Sequence, residues 1–244
     1  MIRPLVPLSV LSLCACHISL NDQMTVDGVR LPVHHEEVLT LESWPATGLV
    51  IQVNKGDVLV EHAEGPTTIA VTLHEREPGD AHASIEEGKL VARASDGGVC
   101  GIGRVIVRTS GTALGLEIGT GMGDVEVRGV RVEGRLKLET SMGDVDVSGA
   151  GEPGSVELSS GLGDVTAAEL RCARFAAETG MGDVKVESVG AEQAKLSSGM
   201  GDVDVKRSKG NHIEASSGMG DVDFVESSFA TRDLDTGLGR VREH

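Results

Sequence analysis

The sequence predicts an all-β protein, a β-solenoid (β-helix) of stacked 19–20-residue two-strand coils. Three observations predict it. A glycine-framed motif returns eight times, at spacings of 20, 20, 20, 19, 19, 19 and 19 residues. The residues on either side of each copy alternate apolar and polar, the period of a strand with one face buried. The chain is rich in Gly (33) and nearly free of aromatics, with three Phe, one Trp and no Tyr, which favours thin aliphatic layers and tight turns over a deep aromatic pocket.

The motif copies are GIGRVIV (101–107), GMGDVEV (121–127), SMGDVDV (141–147), GLGDVTA (161–167), GMGDVKV (180–186), GMGDVDV (199–205), GMGDVDF (218–224) and GLGRVRE (237–243). Upstream of each turn runs a second alternating stretch, such as Leu116-Glu117-Ile118, Leu136-Lys137-Leu138 or Ile213-Glu214-Ala215. Each repeat therefore reads as strand, glycine corner, strand. The Val after the Asp (Val125, Val145, Val165 and their equivalents) and the residue two further on face inward, while the residue between them varies freely and faces solvent. One such coil cannot bury its apolar face alone, so neighbours stack into a continuous core. The glycines Gly121, Gly123, Gly143, Gly161, Gly163, Gly180, Gly182, Gly199, Gly201, Gly218 and Gly220 are assigned to the corner, where positive φ or close backbone approach is needed.

Residues 99–244 form the regular repeats. The segment 24–98 carries a weaker version, with Leu49, Ile51 and Val53 preceding Gly56-Asp57-Val58-Leu59-Val60 at the offsets of the good repeats. It reads either as degenerate early coils, with an insertion around Glu75–Ala83 turning at Pro78-Gly79-Asp80, or as a separate small β-region capping the solenoid.

The start, MIRPLVPLSVLSLCACHISL, has one cation and a short apolar run, as in a secretory signal spanning 1–16. Leu13-Cys14-Ala15-Cys16 resembles a bacterial lipobox, which makes Cys16 the expected lipidation site and His17 after it a residue that implies outer-membrane sorting. The expected address is therefore exported and lipid-anchored in the cell envelope, with the membrane as a partner through that anchor. Cys100 and Cys172 remain in the mature chain and are not expected to pair.

The glycine-aspartate-valine repeat behind such a leader resembles the bacterial envelope β-strand-repeat "putative adhesin" family of unknown function, with a lipoprotein-type leader. The resemblance implies the architecture, and it carries no catalytic residue over to this chain.

In stacked coils every motif position becomes a column. The Met column (Met122, Met142, Met181, Met200 and Met219, with Ile102, Leu162 and Leu238) reads as apolar filling for the corner, and a copper(I) thioether site is the lesser reading. The hydroxyl column (Thr120, Thr140, Ser160, Thr179, Ser198, Ser217, Thr236, with Cys100 in its line) reads as bonding to corner backbone. Asp124, Asp144, Asp164, Asp183, Asp202 and Asp221, flanked by Arg104 and Arg240, read as acceptors for corner amides. The alternative for these six is a calcium site, since hard oxygen ligands converging from stacked turns suit that ion.

A net charge of −16, with 38 acidic against 22 basic residues, opposes nucleic acid as a partner. The outward residues Glu117, Lys137, Glu157, Lys195, Glu214 and Asp233 are dispersed and mixed in sign, and His34-His35-Glu36-Glu37 is not a zinc-binding pattern; the pair of histidines reads as solvated. The expected function is a non-catalytic, envelope-anchored scaffold or adhesin-like interaction surface without cofactor, with envelope proteins or polysaccharide as further partners. A calcium-dependent binding module is the alternative, and a carbohydrate-active β-helix enzyme the third reading.

Overall fold

The structure is a computed structural model that describes residues 24–244. The leader and Cys16 lie outside the described residues. Within them the chain is all strand and turn, with a 20-stranded sheet wound into a solenoid and a two-stranded hairpin, Met24–Val26 with Val29–Leu31.

The period-two pattern decides the coil. Val125–Arg128, Val145–Gly151, Val184–Glu187, Val203–Lys206 and Val222–Val225 all start buried, half-buried, buried, and they pair parallel with their Val residues in register. The second face is built the same way: Leu116↔Leu136, Leu136↔Val156, Val156↔Phe175, Phe175↔Ala194 and Ala194↔Ile213 stack from coil to coil. The two inner faces make one aliphatic core in which Ile118, Val125, Leu138, Val145, Val165 and Val203 are fully enclosed. Each such side chain contributes about 1.5–3 kcal/mol by leaving water.

The order of the stack differs from the order of the chain. Val58–His62 pairs parallel with Val125–Arg128 on one side (Val125↔Val58) and with Gly101–Thr109 on the other (Val58↔Val105). On the second face Leu49–Val53 pairs with Leu116–Met122 (Leu116↔Leu49, Ile118↔Ile51). Residues 49–62 thus form a true coil wedged between the first and second copies of the motif.

The first copy is also not a corner. Gly101–Thr109 is one continuous strand, because its outer neighbour Thr67–Glu75 runs antiparallel along it (Val71↔Val105, His74↔Gly101), with only a bulge where Gly103 and Arg104 lie opposite Thr72. Val33–Leu41 then pairs antiparallel with Thr67–Glu75 and closes that end of the rod. On the second face a hairpin of Ala81–Glu86 and Lys89–Ala94 meets the first coil through Val50↔Lys89.

The other end is closed by chemistry rather than by a change of strand direction. Glu243 stands in register with Phe224, and Val241 is 40% exposed because no coil covers it. Arg232 lies over the Phe224 ring, 5.5 Å from its centroid, and donates to Glu243 at 2.7 Å. A cation over an aromatic face and an ion pair cover the last core ring and blunt an open edge.

Candidate functional site

The glycine corner is the feature that the sequence repeats most strictly, and its chemistry is repeated just as strictly. The second glycine of the six Asp-bearing copies sits at φ between +132° and +154° (Gly123, Gly143, Gly163, Gly182, Gly201, Gly220), a region closed to other residues. A Cβ there would also collide with the carbonyl oxygen of the glycine one coil back, as at Gly182 against Gly163. The first glycine is needed for approach alone: at Gly161 a Cβ would come 2.5 Å from the Ser141 carbonyl oxygen, and its φ is ordinary. Ser141 at that position shows that the approach yields to a small side chain.

The hydroxyl column donates to those second-glycine carbonyls. Thr140 Oγ1 reaches Gly123 O at 2.9 Å, Ser160 reaches Gly143 O at 2.8 Å, Thr179 reaches Gly163 O at 2.7 Å, and the pattern continues to Thr236 and Gly220 O at 2.7 Å. All but Thr236, in the uncovered last coil, are buried, so each satisfies a carbonyl that the corner would otherwise strand. Cys100 stands outside this arrangement, just before the Gly101–Thr109 strand.

The Asp column accepts the backbone amides. Asp144 Oδ1 takes the N–H of Asp164 at 2.8 Å, Asp164 that of Asp183 at 2.9 Å, Asp183 that of Asp202 at 2.9 Å, and Asp221 that of Arg240 at 2.8 Å. Asp57 extends the column by one coil, receiving the N–H of Asp124 at 3.1 Å. Lys185 Nζ bridges Asp164 and Asp183 at 2.9 and 3.0 Å, and Arg242 holds Asp221 at 2.7 Å. The Asp183 amide first, and Lys185 second, hold the Asp164 carboxyl below the usual carboxylate range. The two carboxylates raise the Lys185 ammonium in turn. One oxygen of each carboxylate is therefore engaged by the protein itself, and among the described residues no group of three His, Cys, Asp or Glu side chains is placed to hold a metal ion.

The Met column does not fill the corner. Met122, Met142, Met181, Met200 and Met219 are 41–47% exposed, and Leu162 and Leu238 are 39% and 71% exposed. Positive φ at the second glycine turns the residue between the glycines outward, while the small hydroxyls occupy the inside of the bend. An apolar ridge thus runs along the rod beside the acidic column, a feature that the sequence reading places inside.

Outside the repeat, His35 and Glu37 are buried rather than solvated. His35 Nδ1 lies 2.9 Å from Glu75 Oε1, and Glu75 also accepts the Gly79 and Ala81 amides at 2.9 and 2.8 Å; Glu37 accepts the Ala83 amide at 2.8 Å. The two carboxylates pin the 76–80 loop and the start of the Ala81–Glu86 strand to the end of the rod. A cleft of about 300 Å³ opens beside them, lined by His34, His74, Lys55, Thr72, Asp57 and Arg104. A shallower groove of about 540 Å³ crosses the second face at Glu157, Arg174, Phe175, Lys195, His212 and Glu214. Both cysteines are free. Burial lifts the Cys172 thiol to about 12, and burial, Glu75 and Asp96 raise that of Cys100, so neither is primed as a nucleophile.

Comparison with known proteins agrees with this architecture. Residues 152–236 match the family model of the Toastrack domain DUF4097. A crystal structure of a "putative adhesin" from Bacteroides fragilis NCTC 9343 is similar with a TM-score of 0.58 at 15% identity, over 86% of this chain and 97% of the other. A second "putative adhesin", from Parabacteroides distasonis ATCC 8503, gives 0.51 at 14% identity over 85% and 96%. A "putative lipid binding protein" from the same organism gives 0.51 at 10% identity over 86% and 97%. No curated protein sequence matches the chain. The Toastrack match covers about a third of the chain, and the likeness to the solved structures is one of fold: a β-solenoid.

Proposed function

We propose that this protein is an exported, envelope-anchored β-solenoid that acts as a non-catalytic interaction surface, with the exposed Met and Leu ridge as its contact line. The observation that carries the reading is the ridge itself: Met122, Met142, Leu162, Met181, Met200, Met219 and Leu238 stand exposed in register, one per coil. Contiguous exposed apolar surface marks contact sites, and flexible thioethers adapt to varied partners. Solved structures of this fold described as a "putative adhesin" or a "putative lipid binding protein" support a binding role. Anchoring rests on Cys16 in the sequence, and envelope proteins or polysaccharide are the partners that this address offers.

Photo-crosslinking in cells tests the reading. A photoreactive residue in place of Met181 or Met200 should capture the same envelope partner, and one in place of Glu117 on the second face should not. Equal capture from all three positions, or saturable turnover of a cell-wall polymer by the purified chain, would overturn it.

A further inference from the structure

We propose that the cleft bounded by His34, His74, Lys55 and Arg104 is a binding site for a phosphate oxyanion. It lies where the repeat breaks. Arg104 occupies the column position that Asp fills in the coils from Asp57 to Asp221, so the acidic column ends on a cation at the mouth of the cleft. Its guanidinium is exposed and makes no ion pair among the described residues, leaving a forked donor for an oxyanion.

The floor is formed by His34 and His74. They stand directly opposite on antiparallel strands, with ring centroids 5.4 Å apart and planes tilted by 46°. His34 Nδ1 is buried and has no hydrogen-bond partner within the protein. A buried polar nitrogen left so is costly, and it points to a partner that the chain does not supply. Gly103 permits the arrangement: a Cβ there would lie 2.7 Å from His74 Nε2, so glycine lets the strand backbone close against the imidazole. Lys55 adds a second cation to the lining and Thr72 a hydroxyl. The one carboxylate of the lining, Asp57, already accepts the Asp124 amide through Oδ1 at 3.1 Å.

The lining thus sets a buried imidazole nitrogen and an exposed guanidinium around one cleft, with an ammonium and a hydroxyl beside them, a donor set that the three or four oxygens of a phosphate match better than the two of a carboxylate. In a chain with 38 acidic and 22 basic residues, such a cation-lined cleft is a local reversal of charge. The same phosphate chemistry is offered by the free ion and by a lipid headgroup.

The test is titration of the full chain with inorganic phosphate and, separately, with soluble short-chain phosphatidylglycerol, followed through the His34 and His74 ring resonances. The expected result is a saturable shift with at least one of them, weakened by about tenfold or more in Arg104→Ala and unchanged in Arg128→Ala. Saturation by inorganic phosphate assigns a free oxyanion, and saturation by the lipid alone assigns a headgroup. Absence of saturation by either up to about 50 mM, an affinity limit of roughly 2 kcal/mol, overturns the proposal. So does undiminished affinity in Arg104→Ala. Arg104→Gln provides the same comparison if the alanine variant melts below wild type.

Discussion

Asp164 Oδ1 accepts the backbone N–H of Asp183 at 2.9 Å, and its other oxygen holds Lys185 Nζ at the same distance. One residue thus serves two purposes: it ties two coils together through the backbone and shares a cation with the next carboxylate. Stacked carboxylates repel by about 1 kcal/mol per neighbour in water and more near protein. Amides and intervening cations offset that repulsion from within the chain.

Acceptor geometry, rather than charge, is what the column requires. Asp144→Asn keeps an oxygen for the Asp164 amide and should change stability by less than about 0.5 kcal/mol, whereas Asp144→Ala should cost about 1 kcal/mol by stranding that amide. Urea denaturation of the two variants checks the difference, and equal losses would show that charge is the essential property.

Two kinds of aspartate respond to pH in opposite senses. The folded state depresses Asp164, so its contribution is present above the unfolded value near 3.8 and is lost as pH falls through the lower folded value. Burial raises Asp204, with Asp223 and Asp202 adding to the effect against Lys206. Its charged form therefore weakens the fold above the raised value, and the penalty disappears on acidification. Asp204→Asn should raise the melting temperature at neutral pH and have no effect at about pH 3. A lower melting temperature at neutral pH would contradict the sign.

The two glycines of a corner should differ sharply. Gly180→Ser repeats what Ser141 already does and should cost less than about 1.5 kcal/mol. Gly182→Ser places a side chain at φ +143° against the Gly163 carbonyl and should cost more than about 3 kcal/mol or prevent folding. Comparable melting temperatures for both would refute the assignment of positive φ as the constraint.

The Arg232, Phe224 and Glu243 cluster predicts how the rod end behaves. Glu243→Val removes the partner of Arg232 and restores an apolar residue in register with Phe224. That variant should associate with rising concentration in light scattering, where wild type stays monodisperse.

The inward valines, the hydroxyl column and the Asp column were all legible in the sequence, because a period of 19–20 repeats the same local physics at each level. The second bend of the coil was not. Gly129 and Gly149 give way there to Glu169, Ser188, Arg207 and Glu226, all with φ between +48° and +64°, so no residue type marks the position. Residues 101–107 match the corner motif yet run on as one bulged strand, since an antiparallel neighbour from 67–75 decides their shape. Burial of His35 likewise depends on Glu75, 40 residues away, which no local pattern announces.

The corner columns are held by the chain's own amides, hydroxyls and cations, leaving the rod a self-sufficient surface. Thermal melting of the purified protein with chelator, and again with added calcium, tests it most directly. One melting temperature is expected under both conditions. A melting temperature that falls on chelation and recovers with calcium in wild type, but not in Asp144→Asn, would contradict it, because a ligand bound only to the folded state stabilises by mass action.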